Sequence, residues 1–254
     1  MLFIFLQLVF TYYLIVQIWV NINQVNYQER EFVKHTNNIL PSQIYTIWAL
    51  DDIRTGEQVT NFLELEGDID KAIADGLLNE YGSYDLVELP LKDPLKFREW
   101  NERLQSAYGK SRFRTEAILT DFSIYGKMRI GVKLGRGLTE EDFHLQDHHA
   151  VPILIGAGLE DIFSIGDQLE LIGGEAGQSY MGDVVGILES GTHWVNEDFF
   201  IGNFLDMEYR MILPYIPMTR DTHWMDVSIR SSRMIVTADG EPENVIAELS
   251  NMGK

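Results

Sequence analysis

His144, Asp147, His148 and His149 form the densest group of metal-ligand residue types in the chain. On a helix, His144 and His148 share one face, four residues apart, and two imidazoles so placed can hold zinc or nickel. The stretch lies between Phe143 and an apolar run opening at Val151, where a polar loop is expected, and it contains no H-E-x-x-H arrangement. A solvated loop is therefore the expectation, and no metal-binding residue is assigned. His193 and His223 each precede a tryptophan and could pair with Asp198 or Asp221, but packing in a core or interface suits them better. Gly156-Ala157-Gly158 follows an apolar strand and opens a short helix, the position of a dinucleotide fingerprint. The third glycine should fall at 161, where Asp161 stands, and a carboxylate there would repel a pyrophosphate. A structural turn is expected, with no cofactor. G-x-S-x-G does not occur, nor does a phosphate loop carrying lysine, so neither a serine nucleophile nor nucleotide hydrolysis is indicated. The sequence assigns no catalytic residue, and the chain reads as a non-enzyme.

The elements that hold these residues begin with an apolar leader. Residues 2–22 carry no charge and only Gln7, Gln17 and Asn21 as strongly polar side chains. A helix of that length rises about 31 Å, close to a bilayer's hydrocarbon core. Trp19 and Tyr27 lie near its far boundary, where amphipathic rings collect. A signal peptide would want a basic start and a small-residue cleavage site, and neither is present. A buried core helix is the other reading, but asparagine and glutamine aside this segment is apolar all round, which suits a membrane anchor. The leader is expected to be a transmembrane helix (1–22), followed by a stalk helix (23–40) that ends before Pro41. Arg30 and Lys34, mixed with Glu29 and Glu31, vote weakly for a cytoplasmic body by the positive-inside rule, which leaves the side open.

Thirty-nine acids against 20 bases give the chain a net charge of −19, with no charged residue before Glu29. Such a body repels phosphate backbones, which excludes nucleic acid as a partner. It suits solubility, or a cationic ligand. The absence of cysteine removes disulfides, thiolate metal sites and cysteine nucleophiles together. With 45% hydrophobic residues the chain has material for a real core.

Within the body, strands are expected at 44–50, 84–89, 151–155, 168–172, 183–188, 209–214, 225–229 and 234–237, with a strand-rich stretch over 113–125 and 128–134. Helices are expected at 57–66, 68–79, 158–163 and 242–252, and one from Asp93-Pro94 to Tyr108, where aspartate caps and proline takes the first helical position. Strands and helices mix without steady βαβ alternation, so the fold class is α+β. The body, 41–254, divides into expected subdomains of roughly 41–130 with the C-terminal helix, and 131–240.

Two segments resemble the extracytoplasmic core domain of MacB/FtsX-type ABC transporter permeases. Gly135-Arg136 with Thr139 and Asp142 is similar to that family's G-R-x-h-T-x-x-D turn. The apolar strand 151–156 follows, then Ile165-Gly166-Asp167-Gln168-Leu169, then Val184-Val185-Gly186-Ile187-Leu188, in the family's order. Helix 242–252 is placed like the segment preceding the second transmembrane helix. The resemblance implies a non-enzymatic, extracytoplasmic body on a membrane anchor, coupling cytoplasmic ATP hydrolysis to export or sensing of a peptide or lipid. It further implies an ABC ATPase subunit as partner and a homodimer or permease pair. The physical reading of the same residues is structural: Gly135, Gly137 and Gly166 allow positive φ at turns, and Asp167 can bond neighbouring amides. A different class remains open, a single-pass surface protein capturing a cationic ligand.

Overall fold

The structure is a computed structural model describing residues 2–37, 44–47, 56–108, 116–144, 150–173, 178–195, 204–215, 234–238 and 242–249. Eleven strands are placed among these residues: β1 Ile44–Ile47, β2 Glu80–Glu88, β3 Glu116–Thr120, β4 Val132–Gly135, β5 Val151–Ile155, β6 Gln168–Gly173, β7 Gln178–Leu188, β8 His193–Val195, β9 Phe204–Asp206, β10 Met211–Pro214 and β11 Met234–Thr237. The α-helices are α1 Leu2–His35, α2 Gly56–Ala74, α3 Pro94–Tyr108, α4 Phe122–Lys127 and α5 Pro242–Leu249. The strand expected at 225–229 lies outside the described residues.

One mixed sheet runs in the order β1-β11-β2-β3-β10-β5-β7-β4, with β6 also on β7, and β8 and β9 form a separate pair. β10 lies between β3, to which it is parallel, and β5, to which it is antiparallel. Strands of 41–130 and 131–240 are thus neighbours in one sheet. Its central strands are buried on both faces, as a covered sheet requires. Ala117, Ile153, Ile155, Met211 and Leu213 face a core containing Trp100 and Leu104 of α3 and Phe163. Their neighbours Ile118, Leu154 and Ile212 face the opposite core, with Tyr84, Trp194 and, from α1, Phe32.

Local chemistry sets most boundaries. Asp93 Oδ1 accepts from Leu95 N at 2.9 Å and Lys96 N at 3.2 Å, capping α3 where Pro94 fits the first turn. The two helices expected over 57–79 are one, α2, because Gly67 meets open space and does not break it. That helix stops before 79: Gly76 adopts φ 74°, and Leu77 N donates to Ala72 O, a left-handed C-terminal cap. The strand expected through residue 125 ends at Thr120 instead. After Asp121, residues Phe122–Lys127 form α4, which buries Ile124 while Asp121 Oδ2 turns to accept from Ser83 N at 2.9 Å and Ser83 Oγ at 3.1 Å. Here tertiary contacts override the β propensity of a short apolar run.

Of helix α1, side chains are described from Phe10 onward. Among the described residues no helix is long and apolar enough to cross a membrane. The expected span 2–22 therefore begins with side chains that lie outside the description.

Candidate functional site: the joint between the first helix and the body

Phe32 and Thr36 lie four residues apart, which on a helix puts them on one face. That face is pressed into the body: Phe32 is 5% exposed and Thr36 1%. Thr36 Oγ1 donates back to Phe32 O at 2.9 Å, sealing a carbonyl that the helix end leaves unpaired. The chain then locks onto the end of α4. Thr36 bridges Met128, Arg129 N donates to His35 O at 2.9 Å, and Asn37 N donates to Lys127 O at 2.7 Å. Asn37 Nδ2 donates to Gly126 O at 3.0 Å and Met128 O at 3.1 Å. The lower end of the expected stalk helix is therefore fixed to the body.

His35 closes the other side. Its ring lies 4.9 Å from the His193 ring and 5.1 Å from Phe204, and its Nε2 is 3.6 Å from Glu31 Oε2. Burial, with His193 and Lys34 nearby, pushes the His35 pKa below the usual histidine value, and Glu31 opposes this. His193 Nδ1 donates to Gly191 O at 2.7 Å, which orients its ring toward His35. His193 thus pairs with a histidine and a phenylalanine of the joint. Asp198, Asp221 and His223 lie outside the described residues. At the joint the end of a helix is built into a packed core.

The other singled-out residues are placed as follows. His144 is exposed at the end of a short 3-10 helix, Glu140–Phe143, and Asp147, His148 and His149 lie outside the described residues. Among the described residues no group of three or more His, Asp or Glu could hold a metal. Gly156 and Gly158 pack against the chain's own residues 207–209. A Cβ at Gly156 would sit 2.0 Å from Met207 O, and one at Gly158 would sit 2.5 Å from the Tyr209 ring. Asp161 pairs with Arg103 at 2.5 Å. The amides of Gly156 and Gly158 donate to Arg210 O at 2.8 Å and Glu208 O at 2.9 Å.

The motif residues make two braced turns. Arg136 Nη2 donates to Asp142 Oδ1 at 2.9 Å, and Asp142 Oδ2 accepts from Thr139 N at 2.7 Å and Thr139 Oγ1 at 3.0 Å. Partial burial pushes the Asp142 carboxyl up, but Arg136 and Thr139 together hold it below the ordinary range. Asp167 accepts from Lys96 Nζ at 2.7 Å and from Ser164 N at 3.2 Å, and the lysine holds its pKa down. Gly135 and Gly166 take φ of 77° and 88°. Gly137 does not: it is small because the Tyr125 hydroxyl passes 3.2 Å from where its Cβ would be. Two recesses of about 420 and 440 Å³ flank Gln168, and the Lys92, Lys96 and Arg136 that line them are each paired with a carboxylate of the chain.

The sequence did not single out Phe32, His35, Thr36 and Asn37 as a unit. The signal available was the apolar–hydroxyl pair at 32 and 36 just before the helix ends.

No family profile matches the chain, and no curated protein sequence matches it. Among solved structures it is similar to the extracellular domain of the noncanonic ABC-type transporter YknZ from Gram-positive bacteria. The identity is 14%, the TM-score 0.40, and the match covers 83% of this chain and 88% of that one. It is also similar to the periplasmic region of MacB from Actinobacillus actinomycetemcomitans, with 12% identity, a TM-score of 0.44, and 82% and 81% of the two chains covered. The second bears the name of the family that the sequence motifs resemble.

Proposed function

We propose that the chain is the extracytoplasmic part of an ABC transporter permease, anchored by α1, which couples a cytoplasmic ATPase to export or sensing of a peptide or lipid. It does no covalent chemistry of its own. One observation carries the reading. Between Phe10 and Ile22 helix α1 leaves large apolar side chains bare above the body, with Phe10, Tyr13, Leu14, Ile15, Ile18, Trp19 and Ile22 each at least 43% exposed. Without a break it ends with Phe32 in the same core as Trp194 and Ile212. Apolar side chains bare over this length suit lipid. A helix whose end is part of a sheet's core cannot shift without moving that core, since packed interiors transmit strain.

Topology is tested with single cysteines on a chain that has none. Ser190 is exposed, so Ser190→Cys should react with a membrane-impermeant maleimide in intact cells once any outer membrane is breached. Ser83, which sequence alone offers equally, is 2% exposed and bonded to Asp121, so Ser83→Cys should label only after denaturation. Labelling of Ser190→Cys only after the inner membrane is lysed would overturn the extracytoplasmic reading.

Coupling is tested by breaking α1 above the joint. The break belongs at Val25, which is 60% exposed, and not at Phe32, where it would damage the body's core. Val25→Pro removes a helical hydrogen bond at a local cost of about 3 kcal/mol. In membranes that also hold the ATPase, ATP-dependent transport or response should vanish, with the body's melting temperature unchanged. Transport that survives would make α1 a passive tether and favour a surface receptor for cationic ligands.

A further inference from the structure

His35 and His193 meet where α1 enters the body, although they come from elements far apart in the chain. Their ring centroids lie 4.9 Å apart, and the Phe204 ring of β9 lies 5.1 Å from His35. The His35 side chain is 14% exposed. His193 Nδ1 carries its hydrogen, since Gly191 O can only accept, so the free proton acceptor of that ring is Nε2. His35 has a further neighbour of opposite character. Glu31 Oε2 stands 3.6 Å from its Nε2, one turn back along α1. The ring thus sits between an imidazole and a phenyl that belong to the body and a carboxylate that belongs to its own helix.

Charge decides which side holds it. A neutral imidazole packs against rings. An imidazolium is disfavoured by burial and repelled by a second one, whereas a carboxylate attracts it. The remaining charged groups about the joint are occupied or turned away. On α1, Lys34 Nζ pairs with the same Glu31 oxygen at 3.2 Å and adds to the repulsion. On β9, Asp206 is the register partner of His193, but its Oδ1 accepts from Glu208 N at 2.9 Å. Beyond α4, Lys127 pairs with Glu80 at 2.7 Å, and Arg129, whose N donates to His35 O, has an exposed side chain. Burial first, then His193 and Lys34, hold the His35 pKa below the ordinary histidine value against the pull of Glu31. The packed joint therefore favours the neutral ring. Its grip is complete above the ordinary value of roughly 6.5 and weakens as pH falls through that value toward the lowered one.

We propose that His35 and His193 form a proton-operated latch: in acid, a charged His35 turns to Glu31 and the β8–β9 pair comes away from α1. A helix that has lost this grip passes less of its motion to the sheet, a consequence that rests on the coupling role proposed above.

The test needs neither ATPase nor bilayer and uses the full chain in detergent, with one cysteine in a chain that has none. Val195 of β8 is 2% exposed, in the core that also takes Phe32, and Ser190 is exposed. The maleimide labelling rate of Val195→Cys is divided by that of Ser190→Cys, which cancels the ionisation of the thiol. This ratio should rise several-fold from about pH 7.5 to about pH 5.5, the two sides of the histidine range. Adding His35→Phe keeps a ring in place without a proton site, and the ratio should stay low at both pH values. His193→Asn, which keeps a donor for Gly191 O, should blunt the rise, and Glu31→Gln should move it to lower pH. Melting at neutral pH shows that each variant is folded. A ratio that ignores pH, or that rises as steeply in both histidine variants, would overturn the latch. ATP-dependent response in membranes is read separately. If the ratio rises in acid while wild type and His35→Phe respond to ATP alike at both pH values, the latch stands and the coupling role falls.

Discussion

Arg210→Met will destabilise the body by about 3–5 kcal/mol, the usual consequence of removing one member of a buried ion pair. Arg210 Nε and Nη2 donate to Glu116 Oε2 at 2.8 and 2.5 Å, and both side chains are under 10% exposed. Arg210 Nη1 donates to Asp206 O, and the guanidinium lies 4.6 Å from the centre of the Tyr108 ring. The arginine therefore ties the start of β3, the entry to β10, the end of β9 and the last residue of α3. In the methionine variant the Glu116 carboxylate loses its cation inside the protein, where water cannot replace it. Urea denaturation of the full chain should show the midpoint falling with an unchanged slope. Adding Glu116→Leu should restore most of the loss, because the desolvated charge goes too. A single variant within about 0.5 kcal/mol of wild type, as for a surface substitution, would mean the pair is solvated.

Phe32→Ala should cost about 3 kcal/mol, although the residue sits on what the sequence presents as a stalk. Val33 is its neighbour on the same helix but 39% exposed, and Val33→Ala should stay within about 0.5 kcal/mol. The contrast, read by denaturation of the full chain, separates a helix end that belongs to the core from one that merely touches it. Equal small effects would mean that α1 carries no strain into the sheet, and the coupling role would fall with it.

How far these features can be read from sequence depends on how local their causes are. The start of α3 was legible because Asp93 and Pro94 act on backbone groups within three residues of themselves. β5 was legible because its five apolar residues serve two cores at once, leaving no polar face to confuse the reading. The turn at Gly166-Asp167 was legible for the same reason as the α3 start, since glycine supplies the φ and aspartate the acceptor. α4 was not, because Asp121 gives its carboxylate to Ser83, 38 residues earlier in the chain. The joint was least legible of all. Phe32 is buried in a core it shares with Ile118, Trp194 and Ile212, residues with no mark in the sequence around position 32. His193 was noticed and expected to pack in a core or interface, but its partners were not legible: only the pairing of β8 with β9 brings it and Phe204 to His35.

The position of β10 has a consequence for synthesis. Its neighbours in the sheet are β3 and β5, made roughly 95 and 60 residues earlier by the numbering of their registers. Until Met211–Pro214 leave the ribosome, the nascent chain presents two apolar strands with a gap between them, each with an unpaired edge. Pairing of high contact order forms late and leaves such edges open to other chains. β1 and β2 wait longer still, for β11 between them, so the sheet closes only after Met234–Thr237 have emerged, and any factor that guards nascent chains has work until then.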